Sequence, residues 1–142
     1  MQYSLKGVAL TESFEGCRLA SYQDSVGVWT IGYGHTHGVG SGQTCTQEQA
    51  QAWLEADMAN AESAVNLYVK VVLTQGEYDS LVDFTFNLGS GNLHSSTLLK
   101  LVNENDMADA ANEFAKWDRA GGMVVAGLLR RRLAEKTEFL GS

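Results

Sequence analysis

The stretch that decides the fold is residues 18–34, which read RLASYQDSVGVWTIGYG. Two short β-favouring runs, the second of them VWTIGYG, are separated by a polar segment and by Gly27. Runs of this kind between glycines are typical of a small hairpin sheet, in which a glycine supplies the turn. The sequence therefore predicts an antiparallel hairpin within residues 18–45, a region rich in Gly, Ser and Thr.

The segments on either side of the hairpin have helical patterns. Residues 4–14 predict a helix that Ser4 caps and Gly16 ends. Thr46, with Gln49 three positions later, resembles a capping box. An apolar stripe at helical spacing continues from there for more than about 20 residues, which indicates one long helix.

From Thr74 onward the pattern is helical to the end of the chain. Thr74 and Glu77 form a second capping box. The doublet Gly121-Gly122 is expected to break the chain before a last helix at about residues 123–139. Proline is absent, so no helix is interrupted by it.

Together these patterns predict an α+β fold in a single domain covering residues 1–142. A small N-terminal antiparallel β lobe, at about residues 16–45, is joined by the long helix to a larger helical lobe. The helical lobe takes in about residues 70–142 together with the first helix. Two lobes of this kind would leave a cleft suited to a polymeric ligand.

The charge of the chain narrows its possible partners. Of 142 residues, 44% are apolar and 19% are charged, and the formal net charge is −7. An acidic chain disfavours nucleic acid, which attracts basic surfaces. The apolar runs are far shorter than the ~20 residues that span a bilayer, and the N-terminus lacks an apolar signal region. We therefore expect a soluble protein with no stable membrane association. We also expect it to be a monomer.

Positive charge is concentrated at Arg130, Arg131 and Arg132 in the last predicted helix. Such a run is either a solvated helix face or a patch that contacts an anion or a partner. The sequence leaves both interpretations open.

Cys17 and Cys45 are the two cysteines of the chain. Two cysteines in a chain made in the cytoplasm are more often free than bonded, so both are predicted to be thiols. His35, His37 and Cys45 could be zinc ligands, but a fourth ligand is not evident and the spacing matches no zinc pattern. No metal and no cofactor is therefore expected.

Two carboxyl groups and a hydroxyl are the candidates for chemistry. Hydrolysis of a glycosidic bond uses one protonated carboxyl group as acid and one carboxylate as nucleophile or activator of water. Glu15 suits the acid role, because a helix C-terminus and the neighbouring Phe14 disfavour its charged form. Asp24, beside Ser25 in a polar run, suits the second role, and Thr30 could help it hold a water molecule. Many proteins contain such a pattern, so it does not by itself establish an enzyme.

The spacing of these residues resembles that of the phage lysozymes, glycoside hydrolase family 24. Eight positions separate Glu15 from Asp24, and five separate Asp24 from Thr30. The surrounding motifs are also similar: FEG at 14–16, YQD at 22–24, GVWTIGYGHT at 27–36, NLG at 87–89 and STLL at 96–99. Near the C-terminus, FAKW at 114–117, AGG at 120–122, GL at 127–128 and RR at 131–132 with Glu135 resemble the branch from lambdoid phages in particular.

The resemblance implies a lysozyme-like fold and an activity. The implied enzyme is a muramidase that hydrolyses the β-1,4 bond between N-acetylmuramic acid and N-acetylglucosamine in bacterial peptidoglycan, for phage-induced host lysis. Glu15 would be the acid, and Asp24 and Thr30 would position the attacking water in an inverting reaction. The enzyme would stay in the host cytoplasm until a separate membrane-permeabilising protein releases it to the cell wall or periplasm.

The resemblance also suggests substrate-binding residues. Gly34 and His35 fall where the family lines the floor of its cleft, and Trp29 could stack on a sugar ring. For His35 a structural hydrogen bond is favoured over catalysis. Cys17, two residues after Glu15, is interpreted as a packing residue.

Two alternatives remain beside the hydrolase. One is a non-catalytic module that binds glycan with a lysozyme fold, and the other is a lytic transglycosylase. Retention of Glu15, Asp24 and Thr30 together argues against the first, because a pure binding module would be free to lose them.

Overall fold

The computed structural model describes residues 1–24 and 26–141, and within them the chain forms seven α-helices and four short strands. The helices are α1 Leu5–Glu15, α2 Gln47–Tyr68, α3 Gln75–Leu88, α4 Ser90–Ser95, α5 Thr97–Asn103, α6 Met107–Glu113 and α7 Ala126–Leu140. The strands are β1 Arg18–Gln23, β2 Trp29–Gly32, β3 Arg119–Ala120 and β4 Met123–Val124, and a 3₁₀ turn covers Phe114–Lys116. Contacts group the chain into two compact units, Met1–Val8 with Ala61–Ser142 and, separately, Ala9–Asn60.

The unit Ala9–Asn60 contains the predicted hairpin. Strands β1 and β2 pair antiparallel, with Tyr22 opposite Thr30 and Gln23 opposite Trp29. Gly27 makes the turn at a φ of +87°, which residues with side chains avoid. The expected α+β fold class, a small antiparallel sheet combined with helices, is confirmed.

Short side chains and a glycine set the ends of α1 and α2 as the sequence indicates. Ser4 Oγ accepts a hydrogen bond from the backbone three residues later at 3.1 Å, and Gly16 follows α1 with a φ of +63°. Thr46 Oγ1 accepts from the Gln49 N–H at 3.1 Å and so caps α2. Because Gly16 ends α1, Glu15 is the last helical residue before the chain enters β1.

The unit of Met1–Val8 and Ala61–Ser142 is built on an aromatic core. Thr74 and Glu77 open α3 with both reciprocal bonds of the predicted capping box. Phe84 of α3 is fully buried and meets Phe114 and Trp117 edge-on, with ring centroids 5.8 and 5.5 Å away. Burying one such side chain stabilises the fold by roughly 1.5–3 kcal/mol.

Two of the three clustered arginines are buried in ion pairs, so neither interpretation of the cluster as a surface feature holds for them. Arg131 donates to the two carboxylate oxygens of Asp83 at 2.9 and 2.8 Å. Arg132, which is fully buried, lies 2.7 and 2.8 Å from the two carboxylate oxygens of Glu135. Burial and the neighbouring Asp83 raise the pKa of Glu135 well above its usual range, and Arg132 opposes that rise.

The region before the last helix differs from the prediction. Instead of a helix that begins near Met123, the chain forms a second hairpin in which Ala120 pairs with Met123. Gly121 and Gly122 have φ values of +59° and +81°, which suit a two-residue hairpin turn rather than a simple break between helices. Helix α7 therefore begins only at Ala126.

Candidate active site

Glu15 lies against the backbone of Gly34. A methyl group built on Gly34 would stand 2.8 Å from Glu15 Oε1, closer than a relaxed contact allows. Gly34 also has a φ of +83°, so the site requires both its conformation and its missing side chain. Glu15 is itself half-buried. The structure thus brings two of the sequence-predicted residues into direct contact.

Asp24 lies at the other end of β1, at the start of the hairpin turn, and is exposed. Its Oδ1 accepts hydrogen bonds from the Val26 and Val28 N–H groups at 3.0 and 2.8 Å. Its own N–H donates to the Val28 carbonyl at 2.9 Å. These bonds fix the carboxylate by local backbone geometry, as in an Asx turn. Ser25, expected to help keep Asp24 charged, lies outside the described residues.

Thr30 is buried and is linked to Asp24 by hydrogen bonds to the backbone of Val28. The Thr30 hydroxyl donates to the Val28 carbonyl at 3.0 Å. Because that hydroxyl proton is directed to Val28, its oxygen lone pairs stay available to accept a hydrogen bond from a water molecule. The backbone of Val28 therefore connects Asp24, at the end of β1, with Thr30 on β2.

Gly34 belongs to a tight turn that ends β2. Ile31 and His35 exchange two backbone hydrogen bonds, each 2.9 Å long, and so close the turn around residues 32–34. Gly32 packs so closely on α2 that a methyl group there would lie 3.2 Å from Ala50 Cβ. The His35 ring stacks on Trp53 of α2, with centroids 4.7 Å apart and an interplanar angle of 8°.

Helix α2 contributes two residues that the sequence interpretation missed. Asp57 Oδ2 lies 2.8 Å from His35 Nδ1, and Gln47 Nε2 donates to the Tyr33 hydroxyl at 2.8 Å. With Ala50 and Trp53, these residues occupy one face of the helix at spacings of three or four. That spacing is a sequence signal for a shared face. Because the residues at its two ends, Gln47 and Asp57, are polar, the face does not appear as an apolar stripe.

The other predicted residues have different surroundings. Trp29 pairs with Gln23 at the turn end of the hairpin and is half-buried. Cys17 is exposed, so its interpretation as a packing residue is wrong, and its Sγ lies 3.6 Å from Gln47 Oε1. Both cysteines are free thiols as predicted, and burial raises the pKa of the Cys45 thiol.

The unit that carries these residues is strongly acidic. Residues 9–60 contain six carboxylates and one arginine, a formal net charge of −5. Of the formal net charge of −7, −5 is therefore on the unit with the candidate site.

Within residues 1–24 and 26–141, no group of three or more His, Cys, Asp or Glu side chains is placed to hold a metal ion. No helix in these ranges has both the length and the apolar character that crossing a membrane requires.

Comparison with known proteins agrees with the resemblance found in the sequence. Residues 12–135 match the phage lysozyme family. An endolysin of Acyrthosiphon pisum secondary endosymbiont phage 1 is 43% identical over 98% of both chains. The muramidase domain of SpmX from Asticaccaulis excentricus superposes with a TM-score of 0.92 at 40% identity, over 98% of this chain and 97% of that one. A point mutant of P22 lysozyme gives a TM-score of 0.88 at 37% identity over 99% of both chains.

These likenesses define the class of protein as a lysozyme-fold hydrolase. The family match covers most of the chain, and two relatives are 43% and 38% identical over 98% and 99% of both chains. The chain belongs to the phage lysozyme family and is therefore an enzyme that degrades peptidoglycan.

Proposed function

We propose that this chain is the muramidase with which a phage lyses its host. It hydrolyses the β-1,4 bond between N-acetylmuramic acid and N-acetylglucosamine, with Glu15 as the catalytic acid. The observation that carries the proposal is the contrast between two carboxyl groups. Glu15 is half-buried against Gly34, whereas Asp24 is exposed and held by two backbone N–H groups. The two carboxyl groups thus stand at opposite ends of β1 and are held in different ways, which suits the separate roles of proton donor and water-holding carboxylate in glycoside hydrolysis.

The proposed reaction proceeds by a single displacement. Glu15 gives its proton to the leaving sugar oxygen, while Asp24 and Thr30 hold the attacking water on the opposite side of the sugar ring and the Asp24 carboxylate takes the proton that the water loses. Among the described residues, both hydrogen bonds to the Asp24 side chain end on Oδ1, so we assign Oδ2 to the water. The Thr30 hydroxyl oxygen is the second acceptor for that water. The product then has an inverted anomeric centre.

The substrate-binding assignments are part of the same proposal. Trp29, Gly34 and His35 contact the glycan, the first by stacking on a sugar face. His35 is also held by Asp57 and by its stack on Trp53, which supports a role in shaping the site rather than in proton transfer.

The setting in which the enzyme acts is likewise proposed. It works as a monomer made in the host cytoplasm, without stable membrane association. A separate membrane-permeabilising protein releases it to the cell wall or periplasm. It acts as one lysozyme domain of residues 1–142, with a β lobe at about 16–45 and a helical lobe at about 70–142 plus the first helix. The name endolysin, carried by the relative from Acyrthosiphon pisum secondary endosymbiont phage 1, supports action on the host cell wall.

The test is digestion of purified peptidoglycan, followed by identification of the new chain ends by mass spectrometry. We expect free reducing ends from the natural chain, and a rate lower by about 10²–10⁴-fold from Glu15→Gln, which removes general acid catalysis. Glu55→Gln, at an exposed position of α2, is the matched control and should keep full activity. A folded Glu15→Gln variant that keeps more than about a tenth of the rate would refute the assignment of the acid.

The same digestion separates the alternatives. Anhydro-muramic ends would identify a lytic transglycosylase. Binding to peptidoglycan with no new ends would identify a non-catalytic module.

A further inference from the structure

Tyr33 lies at the centre of the closed turn that carries Gly34. The two backbone hydrogen bonds between Ile31 and His35 close the turn of residues 32–34. A change in the position of Tyr33 would therefore also move Gly34. Tyr33 is buried, with 9% of its surface exposed. No step of the proposed reaction uses its hydroxyl, although a buried hydroxyl needs hydrogen-bonding partners.

One partner comes from α2, and a charged neighbour comes from α1. Gln47 Nε2, in the first residue of α2, donates to the Tyr33 hydroxyl at 2.8 Å. Burial raises the pKa of Tyr33, and the carboxylate of Glu12 in α1 adds to that rise. Glu12 is therefore close enough to the buried hydroxyl to act on its ionisation.

Glu12 and Cys17, the residues of this segment that the contacts involve, are each within three positions of Glu15 in the sequence. The Gly16 N–H donates to the Glu12 carbonyl at 3.1 Å, which closes the last turn of α1 around Glu15. On the other side of Glu15, Cys17 Sγ lies 3.6 Å from Gln47 Oε1. The Gln47 amide therefore contacts Tyr33 with its nitrogen and the segment after α1 with its oxygen.

We propose that Tyr33 and Gln47 act as a pair of positioning residues that hold the last turn of α1 against the Gly34 turn and so place the Glu15 carboxylate. We name this pair the Tyr33–Gln47 clamp. The inference rests on the proposed role of Glu15 as the acid. In this proposal the clamp acts by holding protein segments in place and not by contact with the glycan. It sets the distance between the end of α1 and the turn, whose Gly34 backbone lies against the Glu15 carboxylate.

Tyr33→Phe removes the hydroxyl and keeps the ring, so it tests the clamp with little change in packing. Displacement of an acid by a fraction of an ångström lowers kcat, and we expect a loss of about tenfold with KM changed less than about twofold. Gln47→Ala should give a similar loss. If the two residues work as one unit, the double variant should lose no more than either single variant.

Two controls match these changes. Tyr68→Phe removes a tyrosine hydroxyl from the other compact unit, and Gln49→Ala truncates an exposed glutamine of the same helical turn as Gln47. Both should keep natural kcat. All assays are run well below the unfolding temperature of each variant, and the pH profile of kcat/KM is recorded. A misplaced acid moves the limb of that profile that reports the acid, whereas mere loss of stability leaves it in place.

The outcomes separate this inference from the proposed function. Retained activity in Glu15→Gln overturns the proposed function and the clamp with it. Loss of activity in Glu15→Gln, combined with natural kcat and an unmoved pH profile in folded Tyr33→Phe, overturns the clamp alone. Should Tyr33→Phe fail to fold, Gln47→Ala against Gln49→Ala decides the matter by the same criteria.

Discussion

Replacement of Gly34 by alanine adds one methyl group at the point where the backbone meets the proposed acid. That methyl group would lie 2.8 Å from Glu15 Oε1, whereas ordinary contacts begin at 3.4 Å. The carboxylate must therefore move by roughly 0.6 Å, which a flexible glutamate side chain does at little energetic cost. The movement matters because it displaces the group that we propose to donate the proton.

The magnitudes differ for stability and for activity. Alanine at a φ of +83° costs about 1–2 kcal/mol of folding free energy, which lowers the unfolding temperature by a few degrees in a chain of this size. A misplacement of about 1 Å costs on the order of 10²-fold in rate, so a shift of roughly 0.6 Å should lower kcat about tenfold to thirtyfold. Gly34→Ala is therefore expected to be a mildly destabilised enzyme with a large catalytic defect.

Gly42→Ala is the matched control, because Gly42 has a φ of +74° and open space around its Cα. Thermal unfolding should show similar losses of stability in the two variants. Release of reducing ends from peptidoglycan, measured at about 25 °C, should show a large loss for Gly34→Ala only. Equal activity of the two folded variants would refute the idea that residue 34 sets the position of the Glu15 carboxylate.

Three further predictions concern charge, ionisation and the thiols. The net charge of −5 on residues 9–60 should repel the anionic cell wall, so activity on isolated peptidoglycan should hold or rise from ~10 to ~150 mM salt, and a steep fall would contradict this. Burial beside Glu62 raises the pKa of Tyr78 to about 12, above its unfolded value of 10.0. Stability should thus be complete below pH 10.0 and fall, by an amount on the order of 2 kcal/mol, as the pH approaches 12, and Tyr78→Phe should weaken this dependence in urea titrations. A thiol reagent should react quickly with exposed Cys17 and slowly with Cys45, and should count two thiols after denaturation without reductant; a count near zero would indicate a disulfide.

The parts of the fold that could be predicted from sequence are those fixed by local chemistry. Thr74 and Glu77 form their capping box, and Gly27 makes its turn, because each depends on residues within a few positions. The glycine pair at 121–122 predicts a break in the helical pattern but not the hairpin around it, because the strands beside it are only two residues long. So short a pattern carries no alternation from which a hairpin could be inferred.

Features that depend on distant partners could not be predicted. The burial of Arg131 follows from Asp83, which lies on another helix and is far away in sequence. A run of charges is usually solvated, so the pattern of the sequence pointed to the surface. Likewise, Gln47 is an ordinary polar residue until the fold places it beside Tyr33. The Glu15, Asp24 and Thr30 assignments came from their spacing and the motifs around them, and the contact of Glu15 with Gly34 came only from the structure.

The Val28 peptide has a consequence for how the sequence can vary. Val28 serves Asp24 and Thr30 through its N–H and carbonyl alone, and its side chain is 43% exposed. The side chain of residue 28 therefore takes no part in holding Asp24 and Thr30, and most side chains are compatible with this position. Proline is the exception, because it has no N–H to offer Asp24. We therefore expect residue 28 to vary widely among related enzymes, although it lies between two residues that the reaction keeps constant. Such variation would not mean that the backbone at this position is unimportant.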